Sequence, residues 1–179
     1  MKYRIALSVK SISDAIQRNE AFIRDIKRRC NEFCERMARL GQKVAIERIE
    51  EYGAIDTGKL VNGVSVEQID DGHFRLSVYA EKGGSGNYAV YVEYGTGKKG
   101  AESPHPEAGA IGWEYDVKGQ GDDGWFYPYG PGRHKYKYNP DTGKLQPWTD
   151  GEPAKPFFHD AKQEMINQMA SIAKEVFSR

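Results

Sequence analysis

SDAIQRNEAFIRDIKRRCNEFCERMARLGQKVAIERIEEY, residues 13–52, carries the strongest periodic signal in the chain. Ile16, Ile23, Cys30, Met37 and Val44 recur every seventh residue, and Ile26, Phe33 and Leu40 form a second row three residues after members of the first. Residues at that spacing share one face of an α-helix. The stretch therefore reads as one amphipathic helix of roughly 40 residues, about 60 Å long. Ser13, with Asp14 or Gln17, is expected to cap its start, and Gly53 to end it. Asn19 interrupts the second row and marks the place for a kink or break. One small sheet cannot cover a helix of this length, so part of its apolar face is left for a neighbouring subunit.

Around this helix the pattern is shorter-ranged. Residues 2–9 alternate Tyr3, Ile5, Leu7 and Val9 with Lys2, Arg4, Ala6 and Ser8, which predicts a short strand. Val64–Ile69 and Phe74–Ala80 read as two strands joined by the tight turn Asp70-Asp71-Gly72, a β-hairpin. A third alternating run, Tyr88 to Tyr94, predicts a third strand with Tyr88, Val90, Val92 and Tyr94 on one face and Ala89, Tyr91 and Glu93 on the other. The last segment, Phe157 to Phe177, places Phe158, Ala161, Met165, Met169, Ile172 and Val176 at helical spacing. Between these elements, at about residues 98–153, lies an insert of different composition. All eight prolines fall within 104–156, and nine of the 21 aromatic residues fall between Trp113 and Trp148. Large aromatics seek burial, so this is an ordered aromatic loop region and not a linker. Asn139-Pro140-Asp141-Thr142-Gly143 reads as a turn within it, at a hairpin tip.

Composition narrows the function classes. Lys plus Arg and Asp plus Glu both number 26, for a net charge of zero. A dedicated nucleic-acid binder or a polybasic membrane-surface protein would need an uncompensated basic surface. No apolar run approaches the ~20 residues needed to cross a bilayer, and Met1–Val9 is too short and polar for a secretory signal, so a reducing cytoplasm is the expected site of synthesis. The mean hydropathy of −0.73 is low, yet aromatics make up 12% of the chain, more than a disordered polymer carries. Cys30 and Cys34 lie four apart on the long helix, a poor arrangement for a disulfide, and the nearest histidine in sequence is His73. They are expected to be structural thiols, with no metal and no cofactor bound.

Three short signatures occur in order: Ile55-Asp56-Thr57-Gly58-Lys59-Leu60, then Tyr88-Ala89-Val90-Tyr91-Val92-Glu93-Tyr94-Gly95-Thr96-Gly97, then Lys155-Pro156-Phe157-Phe158. Their order and spacing, with a long helix before and a shorter one after, resemble the tail-component family of siphophages, the neck or tail-completion proteins. The resemblance spans about residues 10–179 and is least diagnostic in the insert from Ala101 to Glu152. It implies a non-enzymatic virion protein of the phage neck or tail top that completes the tail and joins it to the head. It also implies a homo-oligomeric assembly, a hexamer, that meets head-closure, tail-tube or tail-terminator proteins.

The residues of each signature favour structure over chemistry. Asp56 is placed to cap a short turn through Thr57 to Leu60, and Gly58 relaxes its backbone. Gly95-Thr96-Gly97 lets the chain leave its strand sharply, Pro156 suits the first turn of the last helix, and Phe157 and Phe158 anchor that helix. Asp-Thr-Gly at 56–58 and again at 141–143 is also the aspartic-protease triplet, but Lys59 and Lys144 follow where a small residue is needed. Glu93, His105, Glu107, His134 and His159 show no metal-ligand or hydrolase spacing. Pro104 and Pro106 around His105 suit an exposed extended loop. Arg29, Arg36 and Lys43 form a basic row that could touch DNA in a channel. The plainer reading is a solvated flank, with Glu32 beside Arg29 and Arg36 and Glu47 beside Lys43. Trp113 and the cluster Trp125, Phe126, Tyr127 and Tyr129 are candidate subunit contacts. A carbohydrate-binding module, with these rings as a stacking platform, is the rival function. The expected fold is α+β: one domain over residues 1–179, with two helices on one side of a small, mostly antiparallel sheet.

Overall fold

A computed structural model describes residues 8–54, 58–81, 86–116, 124–127 and 135–178. The architecture is α+β, with a long N-terminal helix, a C-terminal helix and small antiparallel sheets. Helix α1 runs unbroken over Val9–Glu51, so Asn19 breaks nothing. A single Asn inside a helix costs well under ~1 kcal/mol, too little to interrupt so long a segment. The helix starts earlier than Ser13 because Ser8 caps it, its Oγ accepting the Ser11 N–H at 3.2 Å. Val9 is therefore helical and not the end of a strand, and the rest of the strand expected at 2–9 lies outside the described residues. Gly53, at φ 62°, follows the helix end as expected.

The two ends of α1 differ in what covers them. Met37, Ala38, Gly41, Ala45 and Ile49 are buried, whereas Val9, Ile12, Ile16, Ile23 and Ile26 are exposed. Burial follows a four-residue step, 37–41–45–49, because two elements press on this face. A Cβ on Gly41 would meet Met165 Sδ at 2.5 Å and Leu76 Cδ2 at 2.7 Å. The absent side chain is what lets the C-terminal helix and the hairpin both reach α1.

After α1 come α2 (Lys59–Asn62) and the hairpin β1 (Val64–Asp70) and β2 (His73–Val78), paired antiparallel from Val64 opposite Val78. The hairpin is tied to α1 by polar side chains as well as by packing. Gln42 Nε2 donates to Val64 O at 3.0 Å, and Asn31 Oδ1 accepts the Gly72 N–H at 2.9 Å.

The third strand expected at Tyr88–Tyr94 is instead a short helix, α3 (Ala89–Tyr94). Asn87 supplies the reason. Its Oδ1 accepts the N–H groups of Ala80 (2.9 Å) and Ala89 (3.2 Å), and its Nδ2 donates to Val78 O (3.0 Å). One side chain thus uses the edge of β2 that a third strand would have needed and starts a helical turn beyond it. Helical spacing then buries Ala89 and Glu93, four apart, where strand alternation would have placed Glu93 with Tyr91. The β-propensity of Tyr and Val yields to this tertiary context.

The insert holds α4 (Gly97–Glu102), α5 (Ala108–Ile111), β3 (Trp125–Phe126), β4 (Lys135–Asn139), β5 (Lys144–Thr149) and β6 (Gly151–Glu152). Strands β3, β5 and β4 form a second sheet in that order, so among the described residues the single sheet expected is two. Asn139–Gly143 is the hairpin tip between β4 and β5, as its residue types predict; the Gly143 N–H donates to Asn139 O at 2.9 Å. Isolated bridges pair Thr96 with Glu152 and Gly97 with Gly151, clasping the two ends of the insert together.

Helix α6 (Phe157–Phe177) returns antiparallel along α1. Phe157, Ala161 and Val176 are buried on it, while Met169, expected on the apolar face, is 47% exposed. Ala45, Ile49, Leu60, Val64, Ala80, Ala89, Phe157 and Ala161 form the core where α1, α2, the hairpin, α3 and α6 meet. At the far end of this packing Tyr52 Oη donates to Asp160 Oδ2 at 2.5 Å. Burial, and then the Asp160 carboxylate, push the Tyr52 phenol up from 10.0 to about 12. A raised folded-state pKa contributes stability that is complete below the unfolded value and is lost as pH rises through the folded one. Stability measured between pH 10 and 12 is thus expected to fall with a component that Tyr52→Phe removes, checked by denaturant melts of both proteins across that window.

Candidate functional site

The N-terminus of α6 begins without a capping side chain, because Pro156 occupies the N-cap position and offers none. The first N–H groups of a helix need acceptors. Glu93, on α3, supplies them: Oε2 accepts the Phe158 N–H and Oε1 accepts the His159 N–H, both at 2.9 Å. A carboxylate there also sits at the positive end of the helix dipole. Glu93 is 6% exposed, an unusual place for a carboxylate unless it is fully partnered. The same Oε1 lies 3.1 Å from His105 Nε2.

His105 is buried at 3% exposure, against the exposed loop that its flanking prolines suggested. Its ring packs between Tyr94, 4.2 Å between centroids, and the edge of His159, at 5.3 Å. Nδ1 accepts the Glu107 N–H at 3.0 Å, so the ring proton resides on Nε2 and points at Glu93. Pro106 and Glu107 lie in a turn closed by the Ala108 N–H, which donates to His105 O at 3.0 Å. Farther out, Glu107 bonds Lys162, and His159 Nδ1 lies 3.6 Å from Glu107 Oε2 without a hydrogen bond. Lys162 holds the Glu107 carboxyl below its ordinary value. Burial pushes Glu93 up, opposed by the N–H donors of Phe158 and His159 and by His105, and burial also raises Tyr94.

Beside this cluster is a cavity of about 420 Å³, walled by Leu76, Val78, Val90, Phe157, Phe158 and Met165, with His159 and Lys162 at its polar edge. A buried carboxylate–histidine pair is the arrangement that orients a general base. Here the nitrogen that would act, Nδ1, is already occupied by a backbone donor, and Glu93 is engaged by a helix terminus. The geometry thus supplies a clamp that fixes α3, the loop through His105 and the start of α6 to one another.

Other residues singled out in the sequence fall into place around the clamp. Gly95, at φ 77° and ψ 169°, turns the chain where a Cβ would lie 2.6 Å from Ala154 N, and the Lys155 N–H donates to Val92 O. Thr96 Oγ1 accepts the Glu152 N–H at 3.3 Å. Leu60 is buried in the core, and Gly58, at φ 74°, precedes α2; Asp56 and Thr57 lie outside the described residues. Trp113 stacks on Tyr94 at 5.0 Å and donates from Nε1 to Gly95 O at 3.2 Å, so it serves this chain's own packing. Tyr91 is 50% exposed, 6.0 Å from Trp113. Trp125 and Phe126 pair with Thr149 and Trp148, the Trp125 ring lies against Gly97, and the Tyr127 N–H donates to Pro147 O. Tyr129 and His134 lie outside the described residues.

The basic row is engaged within the chain. Arg29 bonds Asp25 and Val176 O, Arg36 bonds Glu175, and Lys43 meets its expected Glu47, at 3.7 Å. Glu32 pairs with Arg28. Burial and the neighbouring Cys30 push the half-buried Cys34 thiol up, while Cys30 is exposed. Among the described residues no group of three or more His, Cys, Asp or Glu side chains is placed to hold a metal ion, and no helix is long and apolar enough to cross a membrane.

The clamp was legible only as an anomaly: one carboxylate inside an otherwise apolar hexapeptide, and a helix start with no capping residue. Comparisons with protein-family models, with characterised proteins and with solved structures find no match to this chain.

Proposed function

We propose that the chain is a structural, non-enzymatic virion protein of the neck or tail top of a long-tailed bacteriophage, which completes the tail and joins it to the head. It works there as a homo-oligomer, a hexamer, against head-closure, tail-tube or tail-terminator proteins. The observation that carries this reading is the mutual use of the signatures that suggest the family. Glu93 of the second caps the helix that the third opens, and Leu60 of the first packs with Ala89 and Phe157 in one core. Residues committed to one another in this way hold a shape, which suits an assembly component. Function then lies in surfaces. On the insert, Tyr138 and Leu145 face each other across β4 and β5 and are 64% and 69% exposed, whereas Trp113 and Trp125 are partly covered by the chain itself. This pair is the stronger candidate for contact with a neighbour.

A double substitution, Tyr138→Ala with Leu145→Ala, removes exposed rings and methyls and leaves the core untouched. The variant is expected to stay folded while infected cells accumulate filled heads and separate tails, counted by electron microscopy. Infectious particles at wild-type yield would remove the insert from the joining surface, and a gene neighbourhood without capsid, portal and tail-tube genes would remove the virion reading itself. Carbohydrate binding is the second reading, favoured by Tyr136 and Tyr138, two residues apart on β4 and both exposed. Retention of the wild type, and not of the variant, on immobilised cell-wall glycan would select it.

A further inference from the structure

Helix α6 ends on α1 at Arg29, whose Nη1 donates to Val176 O at 3.1 Å, and at Phe33, 6.1 Å from Phe177 between ring centroids. From Val9 to Arg28 the helix carries an apolar row that nothing in the described chain covers. Val9, Ile12, Ile16, Ile23 and Ile26 are exposed by 88, 45, 53, 52 and 37%. These residues alternate steps of three and four, with Val9, Ile16 and Ile23 as one heptad row and Ile12, Asn19 and Ile26 as the other. The two rows continue without a break into Cys30, Phe33, Met37, Leu40 and Val44, the stretch along which α6 lies.

We propose that this arm is a self-association surface: the Val9–Arg28 segments of two or more copies of the chain pair in parallel as a short coiled coil about 30 Å long. Three features select that occupant. The first is the spacing of the row: apolar positions alternate steps of three and four and, with Phe22 exposed on their flank, form a seam that another helix fills. The seam also prolongs one that is already filled by a helix, α6, in the same chain.

The second is Asn19, the only polar residue in the seam. A parallel, in-register pairing sets Asn19 against Asn19 of the second copy, where two amides can bond each other. The antiparallel registers set it against Ile16, Ile23 or Cys30, leaving an amide against an apolar group or a thiol. The register that opposes Ile23 also brings Glu20 against Glu20. The one that opposes Cys30 drives the partner's first turns into the face α6 already covers.

The third is charge. In the parallel pairing the flanking positions place Ala15 near Glu20 and Phe22 near Lys27, with no like charges opposed. Along the arm Glu20 pairs with Arg24, and Asp25 pairs with Arg28 and with Arg29 just beyond it.

The inference stands on exposure and spacing and does not depend on the virion assignment. The test uses the full chain in sedimentation equilibrium over a range of concentrations. The wild type is expected to have a mass that is a multiple of the monomer. Ile16→Asp with Ile23→Asp, both solvent-exposed in the monomer, is expected to lose association with no change in the thermal midpoint of the core. In a Cys30→Ala, Cys34→Ala background, Ile23→Cys is expected to form a disulfide-linked pair on mild copper-catalysed oxidation, as only facing, in-register residues can. A wild type that stays monomeric, or an aspartate variant that associates as the wild type does, would overturn the surface. Association of the Ile23→Cys variant without that cross-link would overturn the parallel register. None of these outcomes bears on head–tail joining, which the insert variant and the gene neighbourhood read separately.

Discussion

Glu93→Ala is expected to lower stability by about 3–5 kcal/mol, because it removes a buried acceptor and leaves three donors unsatisfied, each at a cost of about 1–3 kcal/mol. Two amide donors at the start of α6 and the Nε2 proton of His105 lose their acceptor at once, in a region closed to water. For a chain of this length a loss of that size lowers Tm by roughly 10 °C. Glu93→Gln keeps the shape and one carbonyl oxygen, so it is expected to fall between wild type and Ala. His105→Ala leaves Glu93 with both its amide donors and should cost less than Glu93→Ala. Calorimetric melts of the three variants give the order. If Glu93→Ala melts within a few degrees of the wild type, the start of α6 is held by packing and not by the carboxylate.

Phe157→Ala is expected to cost a similar ~3–5 kcal/mol by a different route, the loss of buried hydrocarbon and the cavity it leaves. Phe157 has no exposed surface and lies between α1, α2 and α3 at the point where the core is most enclosed. Its neighbour Phe158 is only half-buried, with one side toward the cavity beneath the clamp, so Phe158→Ala is expected to cost distinctly less. Urea unfolding distinguishes the two by midpoint, and an unchanged m-value would show that each acts on the folded state. Equal costs for Phe157 and Phe158 would mean that the second ring closes the core more fully than its exposure implies.

Both long helices and the first hairpin were readable from the chain because periodicity is local. Ile16 to Val44, Phe158 to Val176 and Val64 to Ala80 repeat at spacings that hold whatever packs on them. The turn at Asn139–Gly143 was readable because turn chemistry resides in the turn's own residues. The third strand failed for the opposite reason. Alternation over Tyr88–Tyr94 is compatible with a short helix, and the choice rests with Asn87, whose side chain reaches back to Val78 and Ala80. The clamp was hidden in the same way. Glu93, His105 and His159 are far apart in the chain and carry no shared motif, so only the fold reveals that one buried carboxylate serves two of them. Ser8 against Ser13 was a closer contest: both can cap, and Val9 and Ile12 extend the apolar row to the earlier one.

Among the described elements α1 is made first, and its main partner, α6, follows all the others. More than half of the chain is added between Tyr52 and Phe157. At ordinary translation rates that interval is on the order of ten seconds. During it the row from Met37 to Ile49, which ends up buried, faces solvent on the nascent polypeptide, as do the arm residues beyond it. Hydrogen bonding along the helix needs no later residue, so α1 can be helical throughout, but its apolar face stays open to any passing surface. Contacts this distant in sequence also close slowly. The molecule's quality control is therefore set late, when Phe157 and Ala161 arrive and convert an adhesive rod into a folded domain.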